Sequence, residues 1–299
     1  MLPLFIVILA VGVGLIEPRF WSEQNLTNLL RQLAPLLILT VGQAMTIIAG
    51  GLDLSVAAAM AAAGVVGVLV MEQYGIAAGV AAMILTGAGI GLVNGLIITR
   101  FRVSAFITTL GTMSVAKGLT LVISGGLPLY NVPDRFLDIF GDGRLLGIPA
   151  GGVAAILCVI VVAVLLRRTV FGRYVYATGA NETAAFSAGV PVSTITILVY
   201  VFSGCMAGVA AVVMTAWVSA AQPLAGTGLE LQSIAAAVIG GTALTGGVGT
   251  MTGIVCGAVI LGMLSNSLNM IGVSSFYQTT SIGVIIIVAV ILDRFRNRR

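Results

Sequence analysis

The sequence predicts an all-α polytopic membrane protein: one transmembrane domain over residues 1–299, with about ten transmembrane helices. Three observations carry this. The chain is 59% hydrophobic and only 8% charged, whereas a soluble domain is nearer a quarter charged. Apolar runs of about 16 to 23 residues recur along it, each about long enough to cross a hydrocarbon core of roughly 30 Å as a helix. Arginines gather at the ends of these runs, the mark of a cytoplasmic membrane face. A β-barrel would show alternating polarity in runs of about ten residues, and none are present.

Met1–Ile16 is the first apolar run. It lacks the basic start and small-residue cleavage site of a signal peptide, so it reads as a first membrane helix that a cytoplasmic leader could precede. Glu17–Arg31 is a mixed connection whose Phe20 and Trp21 suit a membrane interface. Leu33–Ala49 is the second span. It runs into Gly50-Gly51-Leu52-Asp53-Leu54-Ser55, after which apolar sequence resumes through Met71. A charge at mid-membrane costs about 2.5–3.5 kcal/mol on insertion scales. The two glycines allow a break in the helix, and Ser55 is placed to cap the next helix with Asp53 near its positive N-terminus. Two readings stay open: a broken helix beside a translocation path, or a buried cap that ties two helices together. Irregular backbone at this depth needs a protein or cavity environment in either case.

After the short turn Glu72–Tyr74, Ala77–Thr99 spans again and ends at Arg100 and Arg102. Gly87, Gly91 and Gly95 place small residues on one helix face, where backbones can approach closely. Ser104–Ser124 holds Lys117, the only lysine, which either snorkels or pairs with a carboxylate such as Asp53. Gly125–Pro149 is a longer connection whose aspartates outnumber its two arginines, which favours the outside. Gly151–Leu166 crosses back, Ser193–Val218 returns outward, and Ser219–Glu230 is polar and turn-rich.

Leu231–Ile239 leads into Gly240–Gly249, where five glycines in ten residues cannot remain a plain lipid-facing helix. In Thr250–Leu264, Gly253 and Gly257 continue a four-residue spacing from Gly249. Helix, glycine-rich break and small-residue helix echo the Asp53 region, a loose internal repeat of the kind that frames a central path. Asn266, Asn269 and Gln278 follow; such amides hydrogen-bond a hydroxylated solute or glue helices together. A last span, Thr280–Leu292, ends in the basic tail DRFRNRR. With the arginine-rich ends inside, both termini are cytoplasmic. On polarity, Gln43, Asp53, Ser55, Asn94, Asn266 and Asn269 are the candidate pathway-lining residues.

The longest polar interruption in the second half lies at Arg167–Val190, RRTVFGRYVYATGANETAAFSAGV. It is either an ordinary basic loop or a short cytoplasmic helix whose small residues suit close packing on a second protein. Several chemistries are absent. The net charge of +4 is carried by span ends and does not suggest nucleic acid. Cys158, Cys205 and Cys256 are lone thiols in apolar runs, neither a disulfide framework nor a metal site. With no histidine, histidine relays and histidine-bound metals are excluded. Lys117 is not set in a phosphate-binding loop, and no paired carboxylates, nucleophile elbow or metal cluster is evident. An active site on this chain is not expected, and any ATP hydrolysis would belong to another chain.

GGLDLSVAAAM, GRYVYATGANETAAFSAGV, SAAQPLAGTGLELQSIAAAVIGGTALTGGVGT and LSNSLNMIGVSSFYQ, in that order, resemble the ribose-type sugar permeases, membrane subunits of bacterial ATP-binding-cassette importers in the branched-chain permease superfamily. The likeness runs from about Gly42 to Asp293. It implies a multi-pass subunit of the bacterial inner membrane that moves a monosaccharide by alternating access. Its implied partners are a second permease subunit (the same chain or a paralogue), a cytoplasmic ATPase that carries ATP and magnesium, and a periplasmic sugar-binding protein. This chain would hold no cofactor or metal. Residues about 167–192 then resemble a coupling segment for the ATPase. Glu182, Ala184, Ala185 and Gly189 match a loose Glu-Ala-Ala…Gly pattern, with Thr183 inserted; Gly172, Arg173 and Asn181 belong to the same stretch. On this reading Gly189→Arg or Ala185→Asp uncouples ATPase activity from transport without unfolding the permease. A branched-chain amino-acid or autoinducer permease is a near alternative, although Gln222-Pro223 and Gly226-Thr227-Gly228 resemble the sugar group more. An ion-coupled secondary transporter would also suit the broken helices, while a non-transporting scaffold would not justify their cost.

Overall fold

The computed structural model describes residues 2–274 together with 277, 280, 281, 283 and 284. Its helices follow the apolar runs: α1 (Leu2–Ile16), α2 (Glu23–Ile48), α3 (Val56–Tyr74), α4 (Ile76–Phe101), α5 (Ala105–Ser124), a single turn α6 (Asp134–Phe136), α7 (Ala150–Arg168), α8 (Val170–Ala180), α9 (Glu182–Ser187), α10 (Val192–Val218), α11 (Leu229–Ile239) and α12 (Met251–Met270). A two-stranded hairpin, Arg144–Leu145 with Ile148–Pro149, precedes α7.

Among the described residues, seven helices are long and apolar enough to cross a membrane: α2, α3, α4, α5, α7, α10 and α12. Two more of the about ten expected spans are present as shorter apolar helices. Helices α1 and α11 are apolar but have 15 and 11 residues. At 1.5 Å per residue α11 is only about 17 Å long, well short of a roughly 30 Å core. The expected last span and basic tail, 280–299, fall largely outside the described residues, as does Gln278.

Local chemistry starts several of these helices. Ser22, Thr169, Asn181 and Thr250 each accept a hydrogen bond from a first-turn N–H of the helix they precede, which satisfies donors that the helix itself leaves unpaired. Helix α2 and much of α10 form the buried centre, with α3, α4, α7, α11 and α12 against them. The glycine face of α4 sits directly on α10. A Cβ at Gly87 or Gly91 would overlap the carbonyl of Gly204 or Tyr200, so only hydrogen allows this spacing. The outer faces of α4, α5 and α7 expose large apolar side chains such as Leu85, Val115, Val122 and Ile160.

The connections separate to opposite ends of the bundle. At one end Arg31 pairs with Asp142, Arg144 with Glu23, and Asn131 donates to Glu72. At the other, Gly247 N–H donates to the Ile48 carbonyl and Tyr176 Oη to the Gly249 carbonyl. The two glycine-rich breaks therefore share one end with α8 and α9.

Candidate functional site

The break between α2 and α3 is stapled by side chains from three helices, α2, α4 and α10. Asp53 Oδ1 accepts from Ser55 N–H at 3.0 Å and Ser55 Oγ at 2.6 Å, and Oδ2 accepts from Ser203 Oγ of α10 at 2.9 Å. Asn94 Nδ2 of α4 donates to Ser55 Oγ at 2.8 Å. The Gln43 carboxamide of α2, oriented to satisfy both its ends, donates to the Asp53 carbonyl at 2.8 Å and accepts from its N–H at 3.1 Å. Tyr200 Oη donates to the Leu52 carbonyl at 3.1 Å, whereas Thr109 Oγ1, 3.3 Å from that carbonyl, donates at 2.8 Å to Ala105 in its own helix. Buried unwound backbone is tolerable here because neighbouring helices replace its lost intrahelical partners. Gln43, Asp53, Ser55, Asn94 and Ser203 are each at most 1% exposed. Asn94 Oδ1 remains without a partner.

Two local expectations change. Ser55 makes no side-chain cap bond to α3, because its hydroxyl is turned to the Asp53 carboxylate. Lys117 does not pair with Asp53; it lies on an exposed face of α5, and the carboxylate is satisfied by serines. Ser203 and Tyr200 were not flagged by sequence. They are spaced three apart in the apolar middle of α10, between Ile197 and Met214, a face that periodicity alone could have marked.

Asn266 is not with this group. It exchanges hydrogen bonds with Asn25 of α2 at 3.1 and 3.3 Å, and both are buried. The pair joins α12 to α2 as helix glue. Asn269 is exposed on the last turn of α12. The structure thus brings together Gln43, Asp53, Ser55 and Asn94, and leaves the two C-terminal asparagines elsewhere.

Residues 167–190 fold into the end of α7, a corner, and the short helices α8 and α9. Asn181 Oδ1 accepts from Ala184 N–H at 2.9 Å and so starts α9. Gly189 ends this stretch with φ +84°, a conformation that favours glycine. Gly172 is buried where α7 turns into α8, and a Cβ there would overlap the Leu165 and Leu166 carbonyls. Arg173, Asn181, Glu182 and Ala184 are exposed, whereas Ala185 is 5% exposed and packs in the core of this chain. Ala185→Asp would therefore place a carboxylate in the core and destabilise the chain itself, and Gly189→Arg would strain the backbone. Neither tests docking cleanly. Phe186 is the side chain that projects outward, 73% exposed, and the small-residue pattern did not single it out.

Helix α8 is sewn to both breaks. A Cβ at Gly179 would overlap the Ile48 carbonyl and crowd the Gly247 nitrogen, and one at Gly246 would meet Gly179 and Gly50. Tyr176 adds its 2.8 Å bond to the Gly249 carbonyl. Burial raises the Tyr176 phenol above its usual pKa, against the opposing pull of Arg167, and so keeps it a donor. Beside this seam opens a cavity of about 700 Å³, walled by the Gly50–Gly51 break, the Arg102–Ser104 bend, Thr178, α9 and the start of α10. None of the six candidate lining residues faces it.

Against known proteins, residues 25–292 match the family model described as branched-chain amino acid transport system / permease component. The chain belongs to this permease family. It is 40% identical to the ribose import permease protein of Bacillus subtilis (strain 168), over 97% of this chain and 91% of that one. It is 36% identical to the L-arabinose ABC transporter permease protein of Azospirillum brasilense, over 99% and 87% respectively. It is also 36% identical to the D-allose transport system permease protein of Escherichia coli (strain K12), over 98% and 90%. No solved structure matches it. As a member of the permease family the chain is a multi-pass membrane transport component, consistent with its seven long apolar helices.

Proposed function

We propose that this chain is the membrane-spanning permease subunit of an ATP-binding-cassette importer for a monosaccharide. The observation that carries this is the 40% identity to a ribose import permease across 97% of the chain, with arabinose and allose permeases among its other relatives. In this reading a separate ATPase chain binds ATP and magnesium, a periplasmic protein delivers the sugar, and a second permease subunit completes the path. The arginine-rich end is cytoplasmic, so α8 and α9 face the ATPase. The exposed Arg173, Asn181, Ala184 and Phe186 form the contact, while Gly172, Ala185 and Gly189 shape the segment that presents it; Glu182 lines the neighbouring cavity instead.

The chemistry supports this division of labour. An aromatic side chain surrounded by small residues is a good anchor for a partner's groove. Sewing α8 to the Gly50 and Gly246 breaks gives any motion at that contact a direct route into the membrane domain. Co-purification in mild detergent from the native membrane tests the partner set: a tandem ATPase should come with the chain. The reconstituted assembly should then take up labelled ribose, arabinose or allose only with ATP. Uptake by this chain alone on an ion gradient would overturn the proposal. Within the complex, Phe186→Ala should weaken ATPase retention on the column about tenfold or more while the permease's own melting temperature is unchanged. Ala185→Asp should lower that melting temperature instead.

A further inference from the structure

The cavity beside α9 has a composition that the coupling role does not require. Eight of its nineteen lining residues carry hydroxyl groups, three of which (Thr46, Thr99 and Tyr200) already donate to backbone carbonyls and can only accept from a ligand, and its charged lining is one cation, Arg102, and one anion, Glu182. These two form no ion pair with each other. The balance suits a neutral ligand rather than an anion or a cation. A carboxylate accepts from ligand hydroxyls, a guanidinium donates to them, and threonine and serine do either. Val103, Val192 and Val199 supply apolar surface, the other half of what a polyol ring presents. At about 700 Å³ the space falls in the size range of small-molecule sites.

We propose that this cavity is a cytosol-facing binding site for the transported neutral polyol, and that its occupancy slows the transport cycle from the product side. The inference rests on the importer reading and adds to it a site and a regulation. The walls explain the regulation. One side is α8 and α9, which are sewn through Gly179 to the two breaks. The other is the Arg102–Ser104 bend that joins α4 to α5. A ligand that touches both sides stabilises the arrangement in which they are this far apart. The cycle must move the α8–α9 segment when the ATPase closes, so accumulated product opposes that movement.

The test uses the whole complex in liposomes with the ATPase side outward, binding protein and labelled sugar enclosed, and ATP added outside. D-ribose is then titrated outside while ATP hydrolysis and sugar release are followed. Hydrolysis should fall about twofold when external ribose equals its dissociation constant and about tenfold at ten times that value, following simple occupancy. Ser193→Ala and Thr196→Val, each normalised to its own sugar-free rate, should raise the inhibition constant about two- to tenfold, as loss of one ligand hydrogen bond does. Thr112→Val, outside the cavity, should leave that constant where it is. Sugar release that proceeds normally and ignores external ribose would overturn this inference alone. So would inhibition of both cavity variants at the same ribose concentration as the unmodified protein. Stronger inhibition by ribose 5-phosphate than by ribose would make the ligand an anion and overturn the neutral-polyol assignment. Failure to release ribose, arabinose or allose under any condition would instead remove the importer reading, and this site with it.

Discussion

Asp53 shows how a carboxylate is kept inside a membrane domain. Its two oxygens have exchanged water for three donors, two from Ser55 and one from Ser203, and its peptide group is clasped by Gln43. A buried charge that loses a donor keeps most of its desolvation cost. Ser203→Ala should therefore destabilise the permease by about 1–3 kcal/mol, read as a lower unfolding midpoint in detergent. An unchanged midpoint would mean that this bond carries no net weight. The residue was conspicuous in the sequence because charge is rare in this chain. Its partner on α10 was not, because one serine among apolar residues is unremarkable until α10 is laid against the break.

At the scale of elements, the informative feature is the seam of α8 with the two glycine-rich breaks. Each break was legible as a break, since paired glycines and polar residues interrupt apolar helices. Their meeting at Gly179 was not legible, because they lie about 190 residues apart along the chain. Gly179→Ala should force apart the Ile48 carbonyl and the Gly247 nitrogen. We expect it to separate ATP hydrolysis from sugar uptake, with uptake falling more than hydrolysis. Tyr176→Phe removes only the 2.8 Å bond at the same seam and introduces no overlap, so it should give a milder version of that defect. Equal, proportional losses of hydrolysis and uptake in both variants would count against a coupling role for the seam.

Over the whole molecule, charge and connection chemistry predict which end lies in the cytoplasm. Leu146, at the tip of the hairpin, is 95% exposed, and Thr183 is exposed on α9 at the opposite end. With the arginine-rich end inside, Leu146→Cys should react with a membrane-impermeant maleimide on intact spheroplasts. Thr183→Cys should react only on inverted vesicles. The native cysteines lie within apolar helices, with Cys158 and Cys256 buried, and give little background. The reverse labelling pattern would invert the topology and move the proposed coupling surface to the wrong face for an ATPase.

Composition, run length and arginine placement were enough, by themselves, to determine a polytopic helical membrane protein, because the bilayer imposes its thickness and its intolerance of charge on any chain that crosses it. Glycine spacing likewise announced close helix packing at Gly87 and Gly91. What only the tertiary structure decided is which polar groups meet. It set Asn266 against Asn25 rather than in the Asp53 cluster, turned Ala185 inward and Phe186 outward on a helix of six residues, and opened the cavity between α9 and the α4–α5 bend. Those outcomes depend on contacts between segments remote in sequence, and on the rotation of short helices whose burial is set by their neighbours. A local pattern holds neither.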